Sequence, residues 1–206
     1  MPRAIHVFRS PDRFVSGTVG EPGDRTFYVQ AVHASRVVSV LVEKQQVAIL
    51  ADRIDALLDE IERRFGADVP PATGEVDDLR PLVTPIEAEF RVGTMGLGWD
   101  ANEKSVVVEL LAATEEALDE SIVLDDRDDG PDALRVFLTA DAARGFAARA
   151  EALVSAGRPA CPLCAEPLDP DGHLCIRTNG YKREPVSLEP YELDGDGDDE
   201  FGDDSD

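Results

Sequence analysis

Arg36-Val37-Val38-Ser39-Val40-Leu41-Val42 runs without a break into Glu43-Lys44-Gln45-Gln46-Val47-Ala48-Ile49-Leu50. Within these residues the sequence changes period. The first seven are rich in β-branched side chains, which suits a half-buried strand. From Glu43 onward the apolar positions are Val47, Leu50, Ile54, Leu57, Leu58, Ile61 and Phe65, a stripe down one face of a helix. Gly66 is placed to cap that helix in the left-handed conformation. A strand feeding a helix is therefore the first unit of the fold.

Three more strands precede it: Ile5 to Phe8, Phe14 to Val19 and Thr26 to Val32. They are separated by the turn formers Ser10-Pro11-Asp12 and Glu21-Pro22-Gly23-Asp24. After the helix, Val69-Pro70-Pro71-Ala72-Thr73-Gly74 reads as a linker. The grammar then repeats. Ile86, Ala88, Phe90 and Val92 alternate with Glu87, Glu89 and Arg91 as an amphipathic strand. Trp99-Asp100-Ala101-Asn102 reads as a turn, and Ser105 to Leu111 as a strand. Ser121 to Leu124 and Leu134 to Leu138 read as strands flanking an acidic loop. Thr139 is an N-cap, Asp141 favours the first helical turn, and Ala143, Phe146, Ala147, Ala150, Leu153 and Val154 form the packing face of a second helix ending at Gly157. The expected class is α+β, with antiparallel sheets and two main helices in two strands-then-helix units. The units are 1–70 and 71–157, followed by a cysteine-bearing segment 158–188 and an acidic tail 189–206. Whether the two units are a true repeat or one sheet with two helices is left open by the sequence.

The 206 residues are 43% apolar and 31% charged, with a formal net charge of −23. A chain this acidic is not expected to bind nucleic acid or an anionic membrane over its general surface. It has no apolar run long enough to span a bilayer and no secretory pattern at its start, so the expected compartment is the cytoplasm. The acidity is concentrated in 71–157 and in the tail, where 189–206 holds ten acidic and no basic side chains. That tail has too little apolar content to fold and is expected to be disordered. Its Asp-Gly repeats lack the glycine and glutamate positions of a calcium loop.

The chemistry lies in Cys161-Pro162-Leu163-Cys164 and His173-Leu174-Cys175. Two thiolates two residues apart chelate one ion from a tight turn, and the His-x-Cys pair supplies two more corners of a tetrahedron. Three sulfurs and an imidazole suit zinc, and four protein ligands close its sphere, so a structural zinc site is expected at Cys161, Cys164, His173 and Cys175. The alternatives are a redox Cys-x-x-Cys, buried thiols without metal, and a catalytic zinc. The redox motif ordinarily opens a helix after a strand, whereas this one follows a helix and is trailed by Pro167 and Pro170.

The run Ala156 to Cys164, together with Leu168 to Gly180, resembles the C-terminal hallmark of an uncharacterised actinobacterial family of conserved hypothetical proteins. Phe27-Tyr28-Val29-Gln30 and Glu43-Lys44-Gln45-Gln46-Val47 are similar to that family too. The resemblance covers the chain except its acidic tail. It implies a cytosolic protein with one metal knuckle and carries no activity with it. Ala165 and Ile176, where knuckles often place Gly and Pro, are departures that leave all four ligands in place.

Other constellations point to bland roles. Gly93-Thr94-Met95-Gly96-Leu97-Gly98 matches no phosphate-binding fingerprint and reads as a sheet bend. Glu87 and Glu89 share one solvated strand face. His6 and His33 sit alone in strand-like segments. Arg3, Arg9, Arg13, Arg25 and Arg36 interleave with Phe8, Phe14, Phe27 and Tyr28, a pattern that can hold single-stranded nucleic acid, and Arg177, Lys182 and Arg183 flank Tyr181. The expected function is thus non-enzymatic: a zinc-binding protein acting through contacts with a protein partner. Nucleic-acid binding by the N-terminal sheet or the knuckle is the alternative, and an enzyme of unrecognised reaction is a third. Partner identity and oligomeric state are not encoded in any recognisable motif.

Overall fold

A computed structural model describes residues 3–21, 23–114, 130–156, 161–164, 175 and 177. In chain order the elements are β1 (Ile5–Arg9), β2 (Arg13–Val19), β3 (Thr26–His33), β4 (Arg36–Val42), α1 (Lys44–Phe65), β5 (Ala88–Asp100), β6 (Ser105–Ala112), β7 (Ala133–Leu138) and α2 (Ala140–Ser155). The expected strand at 121–124, His173 and the acidic tail lie outside the described residues.

The seven strands form one sheet in the order β1-β7-β6-β5-β4-β3-β2. The α+β class holds, and the described strands of both units share one sheet with two helices. The expectation of purely antiparallel pairing is corrected, because β1 pairs β7 and β4 pairs β5 in parallel. These two pairs are where strands of the first unit meet strands of the second. Parallel neighbours need a long crossover, and here α1 with the segment after it provides one between β4 and β5.

The two edge strands, β1 and β2, are joined by only three residues, 10–12. A flat seven-stranded sheet would hold its edges about 29 Å apart at ~4.8 Å per gap. The four Cα steps from Arg9 to Arg13 reach at most ~15 Å. The sheet therefore curls so that its edges approach. Contacts across the mouth agree with this. Arg36, at the start of β4, donates to Val7 O of β1 at 2.9 Å and stacks over Phe8 at 4.3 Å. Ala34 N donates to Asp12 Oδ2 at 2.7 Å.

Alternating residues of the sheet build one core face: Val38, Val40 and Val42, Val106, Val108 and Leu110, Leu134, Val136 and Leu138. Both helices pack on it. From α1 come Val47, Leu50, Ile54, Leu58 and Ile61, and from α2 come Phe146, Ala147 and Ala150. Phe14 of β2 stacks on Phe146 with ring centroids 4.7 Å apart. The caps follow the sequence. Gln46 Oε1 accepts from Glu43 N at 2.8 Å, Gly66 closes α1 at φ 60°, and Thr139 Oγ1 accepts from Ala142 N at 3.1 Å. α2 ends at Ser155 with Ala156 as its C-cap, one residue short of the expected Gly157.

β5 runs through the glycine-rich stretch and includes Trp99 and Asp100, which the sequence reading placed in a turn. The turn begins one residue later, where Asp100 Oδ1 accepts from Asn102 N at 2.9 Å. The sheet irregularity expected here is present as a register shift between Val92 and Thr94. A Cβ on Gly93 would stand 2.7 Å from Ala113 Cα, so only glycine allows the two backbones to approach.

Candidate metal centre

α2 delivers the chain to the cysteines. Its last turn is held from outside by Arg25, between β2 and β3, whose Nη1 donates to Ala156 O at 3.0 Å. Cys161 then begins a turn through Pro162 and Leu163 that brings Cys164 back beside it. Cys161 and Cys175 are buried and Cys164 is half-buried.

The three Sγ atoms lie within 4.8 Å of one another, and those of Cys161 and Cys175 are 3.9 Å apart. That separation is far outside a disulfide, whose sulfurs are ~2.05 Å apart. It matches two sulfurs each ~2.3 Å from one tetrahedral ion, which stand about 3.8 Å apart. The donor set is soft, and two of its members are shielded from water. Such a cluster can hold a thiophilic metal ion, and it is the only grouping of three or more His, Cys, Asp or Glu ligand atoms at this spacing among the described residues. Of the four ligands expected from sequence, the structure brings Cys161, Cys164 and Cys175 together. His173 lies outside the described residues.

The remaining sequence candidates are engaged elsewhere. Phe8, Phe14 and Phe27 are core residues, so they do not form a base-stacking surface. Arg3 donates to Pro131 O at 2.7 Å, Arg9 pairs Glu103 at 2.8 Å and lies over Phe137, and Arg36 binds β1. His6 Nδ1 is 3.5 Å from Arg36 Nη2, and His33 Nδ1 is 3.8 Å from Asp12. Glu87 and Glu89 are exposed, as a solvated strand face should be. Tyr181, Lys182 and Arg183 lie outside the described residues.

A second polar cluster has no counterpart in the sequence reading. Arg13 of β2 and Arg149 of α2 converge on Asp78, in the segment between α1 and β5, where Arg80 joins them. They line a cleft of about 520 Å³. Hydrogen bonds from Arg80, then from Arg13, hold the Asp78 carboxyl below the usual carboxylate range. Burial, followed by repulsion from Arg13, pulls the Arg149 guanidinium down from its ordinary value.

The family model described as Protein of unknown function (DUF3090) matches residues 6–175. The chain belongs to this family. No curated protein and no solved structure matches it. The matched span of this DUF3090 protein takes in all of the sheet but Ile5, both helices and all three cysteines, and it ends at Cys175. Among its described residues no helix is long and apolar enough to cross a membrane.

Proposed function

We propose that this DUF3090 protein is a non-enzymatic zinc-binding protein of the cytoplasm that works through contacts with a protein partner. Its zinc has a structural role, held by Cys161, Cys164, His173 and Cys175. The observation that carries this reading is the convergence of three thiol sulfurs from a turn and from a position eleven residues beyond it. Three cysteine ligands and a histidine leave no coordination position for water or substrate, so the ion would act by fixing chain geometry. Zinc bound there stabilises a short segment that follows α2, because metal-binding energy substitutes for a missing core.

The test combines metal content with hydrogen exchange. The purified chain should carry one zinc per molecule, and Cys161→Ser should lose it. In that variant, amide protection should fall after about residue 157 and persist along Val47 to Phe65. Loss of protection throughout would mean that the knuckle belongs to the main core. A zinc held by only three protein ligands and a water would reopen an enzymatic reading.

A further inference from the structure

Residues 66–87, between α1 and β5, form neither helix nor strand. Connections of this length inside a compact domain usually have a function of their own. Six of these residues, Asp78-Leu79-Arg80-Pro81-Leu82-Val83, are held in a way that resembles the reading of a bound peptide. At one end, Arg13 donates to the Asp78 carboxylate from Nε at 2.5 Å and from Nη2 at 3.2 Å, and Arg149 Nη1 lies 3.7 Å from it. The same two arginines read the backbone. Arg13 donates to Pro81 O at 2.9 Å and to Arg80 O at 2.6 Å, while Arg149 donates to Arg80 O at 2.9 Å and to Asp78 O.

Four residues beyond Asp78, Leu82 settles on Gly17 of β2. A Cβ there would stand 2.6 Å from Leu82 Cγ, so the absent side chain makes the seat. The next residue is bracketed by Gln30 of β3, a fully buried side chain. Gln30 Nε2 donates to Val83 O at 3.0 Å and its Oε1 accepts from Val83 N at 2.8 Å. Ser39 of β4 fixes that amide by accepting a second hydrogen bond at 3.0 Å. The receiving groups stand on β2, β3, β4 and α2, all rigid elements. The side chains of Arg13 and Arg149 are 8% and 12% exposed beneath the segment that they hold.

We propose that these groups, on the outer face of the sheet and around its β2 edge, form a peptide-binding groove, filled in cis by residues 78–83, that takes an extended segment of a protein partner bearing Asp and Leu four residues apart. The chemistry is complementary at three points: an arginine pair for a carboxylate, a glycine seat for leucine, and a buried amide for the backbone after it. The tethered segment competes at an effective concentration of about millimolar, so a partner enters when the segment is loosened or when it binds a second surface as well. The groove is independent of the metal centre.

The test is fluorescence anisotropy with a labelled peptide of residues 76–86. The receptor is the full chain carrying Asp78→Ala and Leu82→Ala, or Leu82→Ala alone should the double variant fail to fold. The account expects saturable binding, weakened at least about tenfold when the peptide itself carries both alanines, since a charge-assisted pair and a buried leucine are lost. In the wild-type chain, excess peptide should displace the cis segment and speed hydrogen exchange at Val83. Equal binding of the two peptides, no binding to a folded variant, or unchanged exchange at Val83 would overturn the proposal and leave 78–83 a structural brace.

Discussion

Arg135 of β7 and Glu109 of β6 are register partners, and their side chains form an ion pair inside the protein. Arg135 Nε donates to Glu109 Oε1 at 2.8 Å, Arg135 Nη2 lies 2.7 Å from the same oxygen, and the Glu109 side chain is fully buried. Removing Arg135 takes a charge-assisted partner from a buried carboxylate, and truncating one side of a buried pair is costly. Arg135→Ala should therefore cost ~3–5 kcal/mol, whereas replacing both residues by apolar side chains of similar volume should be close to neutral. Urea denaturation midpoints of the single and double variants check this. A single-variant loss under about 1 kcal/mol would show that this pair contributes no more than a surface ion pair.

Gly17 and Leu82 share one space, so their substitutions should not be additive. Gly17→Ala sets a methyl group against three Leu82 carbons at 2.6 to 2.9 Å and should cost ~1–3 kcal/mol through overpacking. In a Leu82→Ala background the clash is gone and the same substitution should cost little. A double-mutant cycle measures the coupling, and additive losses would contradict the contact.

The parts of this fold that were legible in sequence are those encoded locally. The stripe from Val47 to Phe65 has a helical period, and Gly66 and Thr139 mark helix ends by what their backbone or side chain can do. The three cysteines were legible for the same reason, since chelate spacing is a local property. Pairing between distant strands is not. Ile5 meets Ala133 and Ser39 meets Ala88, and nothing in either stretch records a parallel partner. Gly93 read as part of a sheet bend because its backbone freedom was visible and its close neighbour, Ala113, was not. Arg13, Asp78 and Arg149 are brought together only by the curled sheet and the helix packed on it, so nothing local in the sequence marks them as a cluster.

The Asp78 carboxyl gives the stability curve a definite slope in acid. Its folded-state pKa is held below the unfolded value by Arg80, then Arg13, so its contribution is complete above about pH 4 and is lost as pH falls. Asp78→Asn should destabilise the protein at pH 7, and the difference from wild type should shrink steadily toward pH 2. Denaturant midpoints across that range check it. A difference independent of pH would mean that the aspartate matters for shape and not for charge.

On the proposed function, Cys161, Cys164 and Cys175 hold a zinc ion with His173 as the fourth ligand. X-ray absorption at the zinc edge of the purified full chain tests it most directly. The account predicts one zinc per chain with about three sulfur neighbours at ~2.3 Å and one nitrogen at ~2.0 Å. A chain purified without zinc, or a shell in which light atoms outnumber sulfur, would contradict it.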